Sequence, residues 1–215
     1  MPELSFAVEG AEAVPYCAAP TLGVRLRVTN RTADPVRAVA LDCQVRIDAQ
    51  RRPYGGAERG RLDDLFGEPS RWSRTLRSLL WAQAHVSVPP FTDSVEVRLP
   101  VPCTADFNEQ AGRYFHALEG GVVPLTLLFS GTVFADAETG ALTVTRVPWE
   151  AEAAFDLPVS TWRDVIDRYY PNSGWLTLRR DTFDRLREFR ARGGLATWDQ
   201  ALDALLDAAA EEARP

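Results

Sequence analysis

His85, His116, Cys17, Cys43 and Cys103 carry most of the chemistry this sequence could offer. Imidazoles and thiolates bind zinc, copper and iron and serve as bases or nucleophiles, provided the fold brings several of them together. Their spacing gives no such site: there is no C-x-x-C pair and no H-E-x-x-H helix. Cys43 falls in the middle of an alternating apolar run and Cys103 continues the parity of Val101, so both are expected as reduced core thiols. His85 shares the polar side of its run with Gln83 and Ser87 and is expected as an exposed imidazole. A softer metal or redox site built from Cys17, Cys103 and His116 stays open as the lesser alternative. Three scattered cysteines do not make an iron–sulfur ligand set, and no cofactor is expected. Asp63 and Asp64 form a tight acidic pair that could share a cation, but "RLDDLFG" reads better as a helix start with carboxylates at the positive dipole end. Phosphate-binding glycine loops and the G-x-S-x-G nucleophile elbow are missing, so no catalytic residue is expected and the chain reads as non-enzymatic.

Charge narrows the partners. All 24 basic residues are arginine, and the net charge is −6. An acidic chain has little non-specific affinity for phosphate backbones, so nucleic acid is an unfavoured partner. No run approaches the roughly 20 apolar residues of a membrane-spanning helix, so no membrane partner is expected. The start "MPELSFAVEG" has neither basic n-region nor apolar h-region, which makes the cytoplasm the expected compartment. A local basic face remains in residues 55–80, where Trp72, Arg74 and Arg77 join Leu76 in an amphipathic pattern. That face is a candidate surface for a protein partner, weighed against an ordinary solvated face.

The elements that would position these residues are mostly strands. In "GVRLRVTN", Val24, Leu26 and Val28 alternate with Arg25, Arg27 and Thr29, the period-two pattern of a half-buried strand. "VALDCQVRI", "WAQAHVSV", "SVEVRLPV", "VPLTLLFSGTVFA", "ALTVTRVPW" and "AAFDLPV" follow, and Leu4–Val8 precedes them. In "WAQAHVSV" the alternation sets Ala82, Ala84, Val86 and Val88 against Trp81, Gln83, His85 and Ser87. Roughly eight short strands with close turn signals predict an immunoglobulin-like antiparallel β-sandwich over residues 1–158, in an α+β chain. Helical inserts are expected near 55–80 and at 105–118, the latter with Phe107, Tyr114 and Phe115 inward.

Residues 159–215 read as a mostly helical appendage docked on the sandwich. Ser160 or Thr161 caps a first helix with a Trp162, Ile166, Tyr169 stripe. The aromatics Trp149, Phe155, Trp162, Tyr169, Tyr170 and Trp175 predict a packed join, since flexible linkers are rich in Gly and Ser. Then comes a strand–helix–helix plan: a short strand at 175–179, a helix capped by Asp181 or Thr182, a left-handed break at Gly193 and Gly194, and a helix opened by a Thr197/Gln200 capping box. Trp198, Leu202 and Leu205 stripe that last helix and are a candidate partner or homodimer surface. The same plan is that of a ribbon-helix-helix unit, in which Thr177 and Arg179 would face DNA bases. The acidic residues Asp199, Asp203 and Asp207 count against that alternative.

The segments "VRLRVTNRTADPV", "PLTLLFSGTVF", "VPWEAEAAFDLPVSTWRDVIDRYYPNSGWLTLRRDTFDRL" and "GLATWDQALDALL" resemble, in this order, a bacterial family encoded in the gene neighbourhoods of high-affinity nickel–iron hydrogenases. The resemblance spans nearly the whole chain and rests on structural motifs. It implies an accessory role in the assembly or stability of a hydrogenase, and it carries over no site residues.

Overall fold

The structure is a computed structural model that describes residues 2–32, 34–104, 109–136, 141–173 and 176–212. The chain divides into two units, Met1–Ser173 and Gly174–Pro215. The fold is α+β, with antiparallel sheets confined to the first unit.

Eight strands form among the described residues: β1 (Leu4–Ala13), β2 (Thr21–Asn30), β3 (Val36–Ile47), β4 (Leu79–Val88), β5 (Ser94–Pro102), β6 (Val122–Asp136), β7 (Leu142–Arg146) and β8 (Glu152–Pro158). One sheet has the order β1-β2-β5 and the other β4-β3-β6-β7, with β8 also paired to β6. Alternation explains which face turns inward: Leu22, Val24, Leu26 and Val28 are buried while Arg25 and Arg27 are exposed. The two inner faces share one apolar core, crossed by Phe6 of β1 stacked on Phe129 of β6 at 4.5 Å between ring centroids.

Strand β6 changes partner along its length. Residues 122–128 pair with β8 and residues 132–136 with β7, so the 15-residue strand must bend between the two. Gly131 stands at that point with φ +145°, and a Cβ there would lie 2.1 Å from the Ala40 carbonyl oxygen of β3. Only glycine tolerates both the backbone angle and the approach.

Trp81 departs from the alternation. It was expected on the polar face with His85, yet it is buried and its ring lies 4.9 Å from that of Phe115. The β3–β4 register shifts between Val45 and Arg46, pairing Val45 with Ala82 and Arg46 with Leu80. This bulge inserts Trp81 as the extra residue and lets it turn inward.

Five helices gather at one end of the strands. The β3–β4 connection carries α1 (Gly56–Arg61), α2 (Asp63–Phe66) and α3 (Trp72–Thr75), the β5–β6 connection carries α4 (Glu109–Ala117), and α5 (Val159–Tyr169) follows β8. Ile47 pairs with Leu79 and Leu125, and Val122 with Pro158, so these connections leave the second sheet at the same end. The insert at 105–118 is thus helical from Glu109, with Tyr114 and Phe115 fully buried; Phe107 lies outside the described residues.

The first unit extends past residue 158, where the sequence suggested a boundary. Trp162, Val165 and Ile166 of α5 belong to the same apolar core as the two sheets, and Trp162 stacks on Phe115 at 4.8 Å. Neither Ser160 nor Thr161 caps α5; the helix starts at Val159, whose N–H donates to the Gly121 carbonyl at 2.9 Å. The aromatic join is packed only in part, because Trp149 is 91% exposed. No helix among the described residues is long and apolar enough to cross a membrane.

The second unit contains α6 (Arg180–Arg192) and α7 (Trp198–Glu212). Residues 176–179 form no strand, because no other described segment offers their backbone a ladder; Trp175 lies outside the described residues. Arg179, and neither Asp181 nor Thr182, occupies the α6 N-cap, without a side-chain cap bond. At the break only Gly194 is left-handed, with φ +63°, while Gly193 stays right-handed helical. The capping box forms as expected: Gln200 N–H donates to Thr197 Oγ1 at 3.2 Å, and Gln200 Oε1 accepts from Thr197 N–H at 3.3 Å.

Candidate functional site

Cys103 is buried, and its thiol donates to the Val101 carbonyl at 3.5 Å. Cys17 is held on the β1–β2 loop, where its N–H donates to the Tyr169 hydroxyl at 3.0 Å. His116 packs edge-on against Trp162 at 5.0 Å. Among the described residues, no group of three His, Cys, Asp or Glu side chains converges as a metal site. Burial pushes both the Cys43 and Cys103 thiols up to about 12, which holds them as unreactive thiols. A thiol reagent should therefore label one cysteine, Cys17, in the native protein and the other two only after unfolding. Rapid labelling of all three would contradict the core placement.

His85 donates from Nδ1–H to the Asp42 carboxylate, both side chains being exposed on the outer face of the second sheet. Cross-strand register sets Asp42 between His85 and Ser130. A nucleophilic triad requires the imidazole in the middle, touching both the hydroxyl and the carboxylate. The His85–Asp42–Ser130 row has the wrong order for that work and acts as a cross-strand pair.

His116 also borders a cleft of about 280 Å³ with Trp162, Arg163, Asp167, Asn172 and Ser173. Desolvation and the Arg163 charge lower its pKa, with Asp167 opposing them. Arg163 is already committed, donating to the Leu118 and Glu119 carbonyls.

A buried polar knot that no local sequence pattern marks lies beneath the helical insert. Arg52 and Glu58 are paired at 2.9 Å with side chains only 8% and 6% exposed. Glu58 also accepts from the Gly55 N–H at 3.0 Å and the Glu119 N–H at 2.9 Å. Burial alone would raise the Glu58 pKa, but these two N–H donors and Arg52 more than offset it and hold it below the usual carboxylate value. Arg52 continues to the Gly120 carbonyl and places its guanidinium 5.3 Å from the Tyr54 ring centroid. The Tyr54 hydroxyl shares a 2.8 Å hydrogen bond with Tyr114 and lies 2.6 Å from the Ala49 carbonyl. Together with Arg61, which donates to Ala117, Arg52 and Arg163 satisfy the carbonyls past the end of α4. This knot ties the β3–β4 connection to the β5–β6 connection.

The amphipathic face of the insert is also partly consumed. Trp72 turns inward: its indole N–H donates to the Gly67 carbonyl at 2.7 Å and its ring meets Tyr54 edge-on at 5.2 Å. Arg74 and Arg77 stay exposed. Asp63 and Asp64 open α2, as the helix-start reading expects, and Asp64 pairs with Arg113 at 3.4 Å.

The hairpin of the second unit leaves several large apolar side chains uncovered. Phe183 meets Trp198 at 5.2 Å, and the Arg190 guanidinium lies 4.0 Å from the Trp198 ring centroid. Beyond this contact the helices are open. Leu202 is half-buried, Leu205 is 41% exposed and Leu206 67%, and Ala201 is the one buried residue of the described hairpin. Of the residues the ribbon-helix-helix plan would aim at DNA, Thr177 is exposed and Arg179 is ion-paired with Asp181 at 3.3 Å.

Comparison with solved structures gives low-scoring likenesses. A β-glucosidase from Kluyveromyces marxianus is 12% identical, covering 72% of this chain and 15% of its own, with a TM-score of 0.28. The ApaA protein of Bordetella pertussis is 14% identical, covering 73% and 93%, with a TM-score of 0.26. β-Glucosidase 3B of Thermotoga neapolitana, solved with α-D-glucose, is 16% identical over 72% and 17%, with a TM-score of 0.27. This chain thus spans about one sixth of either glucosidase. No curated protein matches the sequence. A family match covers residues 1–214, and the chain belongs to the family of unknown function DUF6084.

Proposed function

We propose that this chain is a non-enzymatic accessory protein that engages a protein partner through its C-terminal hairpin, carried by an immunoglobulin-like sandwich. The observation that carries the reading is the uncovered stripe of α7, where Leu205 and Leu206 are 41% and 67% exposed. Large apolar side chains on a short helix are costly to leave in water, and such patches mark interaction surfaces. The sheet orders β1-β2-β5 and β4-β3-β6-β7 support the sandwich reading, since they follow the A-B-E and C′-C-F-G arrangement of that fold. The resemblance to proteins encoded beside high-affinity nickel–iron hydrogenases makes assembly or stabilisation of a hydrogenase complex the role to test first.

The test is affinity capture from the native host with the full chain and with a Leu205→Glu/Leu206→Glu variant. The wild type should retain a stoichiometric partner that the variant loses, while both keep the same thermal transition for the first unit. Equal retention by both chains, or no host partner with either, would overturn the accessory role.

A further inference from the structure

The hairpin has an electrostatic asymmetry that its apolar stripe alone does not explain. Helix α7 carries Asp199, Asp203, Asp207, Glu211 and Glu212 and no basic residue. Asp199, Asp203, Asp207 and Glu211 follow at four-residue spacing and form one acidic stripe beside Leu202 and Leu206. Among the described residues none of these carboxylates is ion-paired. Helix α6 has the opposite balance, five arginines against Asp181, Asp184 and Glu188. Arg185 and Arg192 stand one heptad apart on the flank of its Phe189. Within one chain α6 meets α7 around Trp198, and every described residue from Leu205 to Glu212 is exposed.

We propose that the occupant of this surface is a second copy of the chain. A two-fold axis would set α7 of each protomer along α6 of its partner, making each contact twice. Leu205 and Leu206 would then be covered by the Phe189 side of the partner's α6. The acidic stripe of α7 would face the arginine flank of α6. A helical hairpin of about 40 residues cannot supply its own core, and oligomerisation is the usual remedy. The charge pattern supplies the choice of occupant: the unpaired acidic stripe and the surplus arginines are complementary and lie on adjacent helices. This rests on the reading of the hairpin as an interaction surface and names what sits on it.

Light scattering on the full chain tests it. The wild type should show twice the chain mass, and Leu205→Glu/Leu206→Glu should return it to a single chain mass. Asp203→Arg/Asp207→Arg and Arg185→Glu/Arg192→Glu should each shift the protein to monomer, and an equimolar mixture of these two chains should recover the dimer mass. That rescue separates lost complementarity from a hairpin that fails to fold. A wild type that is monomeric at every concentration, or a dimer that survives all three variants, overturns the proposal. A monomeric wild type whose host partner is still lost with Leu205→Glu/Leu206→Glu refutes the second copy and leaves the function intact. A dimer abolished by that variant, with no host partner captured, does the reverse.

Discussion

Replacing Glu58 by Ala should destabilise the first unit by about 3–5 kcal/mol, a loss of roughly 10 °C in its thermal midpoint. The large effect comes from what stays behind. Arg52 is 8% exposed, and without Glu58 its guanidinium would be a buried charge holding only the Gly120 carbonyl and the Tyr54 ring. The N–H groups of Gly55 and Glu119 would lose their acceptor as well. A double variant, Arg52→Met/Glu58→Leu, should recover much of the loss, since removing both charges leaves no uncompensated ion. The pH dependence has a definite sign. The folded pKa of Glu58 lies below its unfolded value near 4.3, so its contribution is complete above that value and is lost as pH falls through the folded pKa. Chemical denaturation of wild type and Glu58→Gln should show a gap that is constant around neutrality and closes in acid. A gap that grows on acidification would contradict the pairing.

Gly131→Val should be the other severe change, costing about 3 kcal/mol or more. The added Cβ would begin 2.1 Å from the Ala40 carbonyl oxygen, and the obstacle is backbone, which cannot swing aside as a side chain can. Relief would require opening the β3–β6 ladder at Leu41–Gly131, in the middle of the sheet that holds the core. Even alanine meets the same Cβ contact and the same φ of +145°. Both variants should unfold at markedly lower denaturant, whereas a surface glycine such as Gly60, with open space at its Cβ position, should accept alanine freely. An unchanged midpoint for Gly131→Ala would mean that β6 does not bend there.

The strands were legible because alternation is a local signal, and burial in β2 follows the pattern residue by residue. Trp81 was misplaced because a bulge interrupts the period, and the extra residue is defined only by its partner strand β3. The Thr197/Gln200 box was readable since both partners sit on one turn. The Arg52–Glu58 knot was not, because Glu119 and Gly120 complete it from the far side of the fold. Helix starts without side-chain caps, at Val159 and Arg180, left no sequence mark beyond the neighbouring Ser, Thr and Asp that suggested later ones. The strand at 175–179 was inferred from alternation alone, which cannot say whether a pairing partner exists. Of the candidate surface residues, Trp72 is taken into the insert, Trp198 and Leu202 are partly covered and Leu205 stays exposed, a distinction that composition does not encode.

The most direct test of the central claim, that the hairpin is where a partner sits, is amide hydrogen exchange on the full chain, free and in complex. The free state is prepared by dilution, and the complex is either the captured host assembly or the concentrated protein. Slowed exchange confined to α6 and α7, strongest over Leu202–Glu212, is the expected result. Protection at the exposed edges of β4 or β7 with none in α7 would contradict it.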